Sequence, residues 1–255
     1  EVEGDFNEIV DLFIRINSTG KRLEGQEKRH ARFYASPILK VAQRLADEHQ
    51  AYLVRTGVLS PGQVQRMKHV ELVTELLLGV HAGVHLNKKA KIDEIIRGDG
   101  IDGSDLQSAA ASVTRALKLV NAVLPDLKTT RFRQVADFYT LALLLHRYRD
   151  EGKTVTAHDS GRNQLAGELL RDFGRGVDEV SVQSKSGKGV TPLQQPFLQY
   201  LLTVREGTDS ATQRRSREKL LREVLDGVFD DLDPVRQFNQ VQRRILWHGA
   251  SKKTC

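Results

Sequence analysis

Residues 132–145 read FRQVADFYTLALLL, and this run determines how the rest of the chain must pack. Its apolar residues recur at helical spacing and cover most of the helical circumference, rather than one narrow stripe. A helix that is apolar on most faces is normally buried on most faces. The run therefore predicts a central helix against which other helices pack.

Amphipathic patterns on both sides of this run predict the surrounding helices. Ser36-Pro37 and Ser60-Pro61 are each typical of an N-cap followed by the first helical residue. Ser104 is expected to cap a further helix, which Pro125 stops. The predicted helices cover residues 5–17, 24–32, 36–47, 60–80, 87–96, 104–124, 193–205, 210–229 and 234–247.

Residues 180–189, rich in Ser, Gly and Lys, are predicted to form a mobile loop. A short strand signal at 177–180 is too brief to support a sheet. The predicted fold class is all-α, a multi-helix bundle or array of about nine or ten helices. Two lobes are expected, with residues 1–180 as one domain and 190–255 as the other.

Composition limits the class of protein. The chain has 255 residues, a formal net charge of +6 and one cysteine. No apolar run approaches the roughly 18 residues that span a bilayer, so no membrane partner is expected. A single cysteine suits a reducing, cytoplasmic compartment. Because the first residue is Glu and an amphipathic pattern begins at once, we expect a piece of a longer protein, cut at both ends.

One turn near the start has the chemistry of a phosphate site. DLFIRINSTGKRL, at 11–23, places Arg15 on a helix end and Asn17 and Gly20 in the turn that follows. Backbone N–H groups and short basic side chains of such a turn can bind a phosphate. A helix C-cap with Gly20 in the left-handed region, followed by a solvated basic helix, is the alternative.

The same run, F-x-R-I-N-x-x-G-x-x-L, resembles the N-terminal domain family of GmrSD-type modification-dependent restriction enzymes, which is ParB- and sulfiredoxin-like. Residues 66–78 and 131–139 continue the resemblance. It implies a bacterial defence protein that uses a nucleoside triphosphate with Mg²⁺, in which Arg15, Asn17 and Gly20 help to form the nucleotide pocket. The Asp-Gly-Gln-Gln-Arg signature of that family is absent from this sequence, so the chain itself is expected to hold no cofactor.

A second basic constellation lies near the C-terminus. The predicted helix at 210–229 carries several arginines, and more follow it. As a group these arginines are predicted to contact the phosphate backbone of DNA, and they are not expected to recognise bases. The alternative is a solvated helix face, balanced by neighbouring acids. The predicted DNA-backbone residues are Arg214, Arg215, Arg217, Arg222, Arg243 and Arg244.

The last residues resemble the approach to an HNH nuclease domain. A helix with the run QRRILW, at 242–247, precedes Cys255, which the resemblance implies is the first ligand of a structural zinc site. One cysteine cannot hold zinc alone. The intact protein is therefore expected to be a nucleotide-dependent DNA endonuclease, whereas this chain alone should cleave neither DNA nor nucleotide. A non-catalytic helical interaction module without DNA binding remains the alternative.

Other titratable residues do not form a site in the sequence. His81 and His85 have the i, i+4 spacing of a helical metal pair, but Gly83 between them weakens the helix and no HExxH pattern is present. The run SGKG at 186–189 lacks the GxxxxGK[ST] pattern of a phosphate loop.

Overall fold

The computed structural model describes residues 25–33, 35–83, 85, 88–98, 100–187 and 189–230. These residues form ten α-helices and three short 3-10 turns, and they contain no β-strand, which confirms the predicted all-α class. The helices are α1 (Gly25–Arg32), α2 (Pro37–Arg55), α3 (Pro61–Gln65), α4 (Lys68–Ala82), α5 (Lys88–Arg97), α6 (Gly103–Val123), α7 (Val135–Asp150), α8 (Ser160–Lys185), α9 (Gln195–Arg205) and α10 (Ala211–Val224).

Helix α7 is the central helix that the sequence predicted. Phe138, Leu143 and Leu144 lie on different sides of α7, and each is at most 1% exposed. Helices α4, α6 and α10 pack around it. Because α7 has no solvated face over most of its length, removing any of these neighbours would expose apolar surface.

The long helix predicted from Ser60 to Val80 is interrupted. Ser60 does cap a helix, since its hydroxyl accepts from the Gln63 amide and the Gln63 side chain accepts in return from the Ser60 amide. That helix, α3, stops after one turn because Met67 adopts the left-handed conformation, with φ of 57°. Helix α4 then starts at Lys68, so the single-helix prediction was wrong.

Helix α8 is the longest of the described helices, and the sequence patterns did not predict it. It covers the short strand signal at 177–180, and Val177 and Val180 are buried in the core. The predicted loop at 180–189 was also too long, because the helix continues to Lys185. The Ser184 hydroxyl donates to the Val180 carbonyl at 2.8 Å, so this serine is accommodated within the helix. The chain leaves the helix at Gly187, where φ is +70°.

One hydrophobic core continues across the position at which two lobes were expected. Phe173 on α8 packs against Phe197 and Tyr200 on α9, with ring centroids 5.4 and 5.1 Å apart. Leu221 and Phe229, further along the chain, belong to the same cluster of buried residues as Ala42 and Leu76. The described residues before and after 181–189 therefore share a core instead of forming separate ones.

A smaller apolar cluster holds α5 against the rest of the fold. Ile92 and Ile96 of α5 pack with Ile38 of α2, Leu78 of α4 and Leu106 of α6. This packing fixes the position of α5 relative to three other helices. None of the described helices is long and apolar enough to cross a lipid bilayer.

Candidate phosphate-binding cleft

A cleft of about 590 Å³ opens between four segments that are distant in sequence. Helix α1 forms one wall, and the other walls are the first turn of α4, the second half of α5 and Asp209, which precedes α10. Its volume lies in the range of about 300–1,000 Å³ that small-molecule sites occupy. The fold thus provides a hollow of ligand size that no single sequence segment could form.

Positive charge predominates in this cleft. The acidic residues that line it are Glu71, Asp93 and Asp209. The cationic residues that line it are Lys28, Arg29, Arg32, Lys68 and Arg97. Cationic groups that converge on a recess attract anions, because the low-dielectric walls focus their field.

Two of the acids are already engaged by cations of the cleft. Arg29 donates through Nε to Oδ1 of Asp93 at 2.5 Å, which ties α1 to α5. Its Nη1 donates to Oε1 of Gln26 at 2.7 Å, so the guanidinium is held in one orientation. Lys68 donates to Oε2 of Glu71 at 3.0 Å. These pairs fix the walls of the cleft, while the other cationic side chains that line it add further positive charge.

Helix α1 places two like charges on one face. Lys28 and Arg32 are four residues apart, both are exposed and both line the cleft. A like-charge pair at this spacing destabilises a helix by a few tenths of a kcal/mol. An anion in the cleft would be attracted by both charges.

An aromatic ring accompanies these cations. Phe33 follows α1 directly, is half-buried and lines the cleft. It also packs against the small apolar cluster around α5. Planar bases stack on such rings with a gain of about 1–3 kcal/mol. The cleft therefore combines phosphate-binding chemistry with a ring suited to a nucleobase.

The structure places two of the predicted DNA-backbone arginines inside the protein. Arg214 and Arg217 on α10 are only 3% and 1% exposed. Arg217 donates to the hydroxyl of Thr140 at 3.1 Å and to the carbonyl oxygens of Thr203 and Thr208 at 2.7 and 2.9 Å. A guanidinium whose donors are used inside the core cannot reach a phosphate. The assignment of these two residues to DNA was therefore wrong.

Arg222 is also engaged, at the other end of α10. It donates to both carboxylate oxygens of Glu151, at 2.8 and 2.7 Å, and to Glu218 at 2.9 Å. Arg215 alone of the predicted residues on this helix is exposed to solvent, and its role as a DNA contact stays a prediction. Most of the arginines of α10 therefore take part in packing within the protein.

Glu218 is a buried carboxylate surrounded by cationic groups. Arg147 on α7 pairs with it, and Nε2 of His85 lies 3.1 Å from its Oε2. Burial alone would raise the pKa of Glu218, but the hydrogen bond from His85 and the charge of Arg147 outweigh it and lower that pKa. Nε2 of His85 therefore contacts the buried Arg147–Glu218 pair.

The remaining predicted site residues lie outside the described part of the chain. They are the proposed nucleotide-contacting residues Arg15, Asn17 and Gly20, the DNA-backbone residues Arg243 and Arg244, and the zinc ligand Cys255. Among the residues that the structure does describe, no cluster of three or more His, Cys, Asp or Glu side chains has the arrangement of a metal site.

Sequence patterns indicate only one wall of the cleft. The basic run at 27–32 continues the predicted phosphate turn, and it lines the cleft. Lys68, Arg97 and Asp209 give no comparable signal, because they lie in three segments that are far from 27–32 in the sequence. The four-residue spacing of Lys28 and Arg32 is the one sequence pattern that points to this cleft.

Comparison with protein-family models, with curated proteins and with solved structures found no match for this chain.

Proposed function

We propose that the cleft between α1, α4 and α5 binds the phosphate groups of a nucleotide. The observation that carries this proposal is the group of five cationic side chains around a hollow of nucleotide size, with an aromatic ring at its edge. The cations neutralise phosphate oxygens through charge-assisted hydrogen bonds, and Phe33 stacks on the base.

Arg15, Asn17 and Gly20, the predicted nucleotide-contacting residues, precede α1 in the sequence, and we extend the proposal to them. The resemblance to GmrSD-type restriction enzymes extends the proposal to the whole protein. In that role the chain is part of a nucleotide-dependent DNA endonuclease of bacterial defence, with Mg²⁺ on the nucleotide and zinc in an HNH module. The described residues then supply a rigid scaffold that connects nucleotide binding to DNA cleavage.

Binding of fluorescent nucleoside triphosphates, followed by anisotropy, tests the proposal. Exchange of Lys28 and Arg97 for Gln should weaken binding by about tenfold or more, because each charge-assisted hydrogen bond contributes about 1.5–3 kcal/mol. The matched control is Arg149→Gln with Lys185→Gln, which removes two exposed charges elsewhere. Equal affinities of the two double variants for the nucleotide would contradict the proposal.

Phe33→Leu separates nucleotide recognition from simple anion attraction. It should reduce affinity for a nucleoside triphosphate but leave affinity for inorganic triphosphate unchanged, because only the base stacks on the ring. A loss that is the same for both ligands would mean that the cleft recognises phosphate alone.

A non-catalytic interaction module is a second candidate, favoured by two apolar side chains on the surface. Leu193 is 88% exposed and Val182 is 68% exposed, near the two ends of the connection between α8 and α9. Exposed apolar side chains mark a protein contact where they form a contiguous patch, so this candidate requires Val182 and Leu193 to act together. Absence of both nucleotide and DNA binding, together with self-association that Leu193→Ser abolishes, would favour this candidate.

A further inference from the structure

A second basic surface lies at the end of α2, in a part of the fold that the cleft does not include. Arg55 is the last residue of α2, and Lys128 and Arg133 belong to two consecutive 3-10 turns between α6 and α7. All three side chains are exposed. Lys128 and Arg133 are far from Arg55 in the sequence, and the fold brings them beside Gly57, two residues after Arg55.

Gly57 is the point at which these segments meet. It adopts φ of +72°, and a methyl group placed on it would lie 3.6 Å from Cγ of Lys128 and 3.8 Å from Cδ of Arg133. The aliphatic parts of both side chains therefore lie beside the Gly57 backbone. Arg55 is two residues away and lies over the Tyr52 ring, 5.9 Å from its centroid.

The two segments that carry these cations contain few acidic residues. The sequence contains no acidic residue between Glu48 and Glu71, nor between Asp126 and Asp137. Arg171 neutralises Asp126 through a two-pronged hydrogen bond at 2.9 and 2.8 Å, and Asp137 is completely buried. Within the described part of the chain, none of Arg55, Lys128 and Arg133 forms an ion pair. Their charge is therefore available to a partner.

The surface offers charge without apolar residues that could insert into a membrane. The large apolar side chains of the two segments, Leu53, Leu59, Leu127 and Phe132, are all in the core. Anionic membranes usually bind proteins through basic residues combined with an apolar face that enters the lipid. Closely spaced cations alone suit the phosphate backbone of a nucleic acid, whose affinity comes from displaced counterions.

We propose that Arg55, Lys128 and Arg133 form a contact surface for the phosphate backbone of duplex DNA. The surface contacts phosphates and reads no bases, so it binds duplexes of different sequence alike. The DNA partner rests on the proposed function, but the position of the contact rests on the geometry around Gly57. This surface replaces Arg214 and Arg217, which the fold buries.

The test measures binding of a short fluorescein-labelled duplex by anisotropy over a range of NaCl concentrations. We compare the unsubstituted chain with the triple variant Arg55→Gln, Lys128→Gln and Arg133→Gln. The matched control is Lys40→Gln, Lys118→Gln and Arg149→Gln, which removes three exposed charges, one each from α2, α6 and α7. Far-ultraviolet circular dichroism melts show whether both triple variants fold.

The triple variant should bind duplex at least about tenfold more weakly. The slope of log K against log salt should fall by about 0.9 for each phosphate that the variant no longer neutralises. The control should stay within about twofold of the unsubstituted chain. Equal weakening in both triple variants would overturn the assignment, because it would show an effect of net charge alone. Loss of binding to phosphatidylserine vesicles without loss of duplex binding would also overturn it.

Two failures are distinguishable. If the unsubstituted chain does not bind duplex even at low salt, the DNA surface and the DNA-directed role both fail, while nucleotide binding in the cleft is tested separately. If it binds duplex and the triple variant binds equally well, only the surface around Gly57 is wrong.

Discussion

Arg214 on α10 donates a hydrogen bond to Glu75 on α4 at 2.6 Å, and both side chains are almost completely buried. The two residues are 139 positions apart in the sequence. Arg214 also donates to the Tyr139 hydroxyl at 2.8 Å and lies over that ring. Burial raises the pKa of Tyr139 to about 12, so its hydroxyl stays protonated. This buried pair fixes α10 to both α4 and α7.

Replacing Arg214 should therefore cost stability rather than ligand binding. We expect Arg214→Ala to lower the free energy of unfolding by about 3–5 kcal/mol, because Glu75 would remain buried without its cation. The control is Arg215→Ala, one residue further along the helix and exposed, which should change it by no more than about 0.5 kcal/mol. Urea unfolding followed by circular dichroism measures both. Similar losses in the two variants would contradict a structural role for the Arg214–Glu75 pair.

The crossing of α6 and α8 leaves no room for a side chain at Gly167. A Cβ atom there would lie 2.3 Å from the backbone carbonyl oxygen of Val123. Gly167→Ala should therefore destabilise the fold by at least about 1–3 kcal/mol, because the helices must separate. Gly161→Ala, in the same helix, meets only the Asp159 side chain at 3.8 Å and should be neutral or slightly stabilising. Thermal melts that shift equally for both variants would refute this packing argument.

Stability should decrease as the solution becomes mildly acidic. Burial lowers the pKa values of His49 and His146 below the ordinary value of a histidine. Such a histidine binds fewer protons in the folded chain than in the unfolded chain, so protonation favours unfolding. The free energy of unfolding should fall as the pH drops from about 7 to about 5.

The substitution His146→Gln should make that pH dependence shallower, because it removes a buried imidazole whose pKa is lowered. Urea midpoints measured across this pH range provide the comparison. If the slope of stability against pH is the same in the His146 variant as in the unsubstituted chain, burial of that imidazole does not control it.

Removing an acid from the cleft should strengthen anion binding. Asp93→Asn abolishes the negative charge that now engages Arg29, and the side chain of Asp93 is 46% exposed. We expect the affinity for a nucleoside triphosphate to rise by about three- to tenfold, with a steeper salt dependence. Asp226→Asn makes the same change of charge at an exposed position outside the cleft. Equal gains in the two variants would point to long-range attraction instead of a local site.

Much of the fold follows from helical periodicity. The pattern at 132–145 correctly predicts a central helix, because a helix with apolar residues on most faces can only be buried. Periodicity does not show where a helix is interrupted, as at Met67, since a left-handed residue other than Gly leaves no mark in the pattern. It also misses α8, where small and charged residues alternate with the buried Val177 and Phe173.

The site is harder to predict than the fold, because a sequence does not show whether a charged side chain will be buried or exposed. Arg214, Arg215 and Arg217 look equivalent on one amphipathic helix, yet two are buried and one is exposed. Only the position of Glu75 and Thr140 on neighbouring helices decides this. Likewise Lys68 and Arg97 acquire a shared role only when α4 and α5 pack together.

Because the core extends past the end of α8, we expect the fold to survive a break in the chain at that point. Residues 185–187 are exposed, whereas α9 and α10 are held by the edge-to-face contact of the Phe173 and Tyr200 rings and by buried guanidinium groups. A protease that cuts at this turn should produce two fragments that stay associated, and the two pieces expressed separately should reassemble. The protein can thus be divided there into a large and a small complementary fragment, for use as a split reporter of assembly.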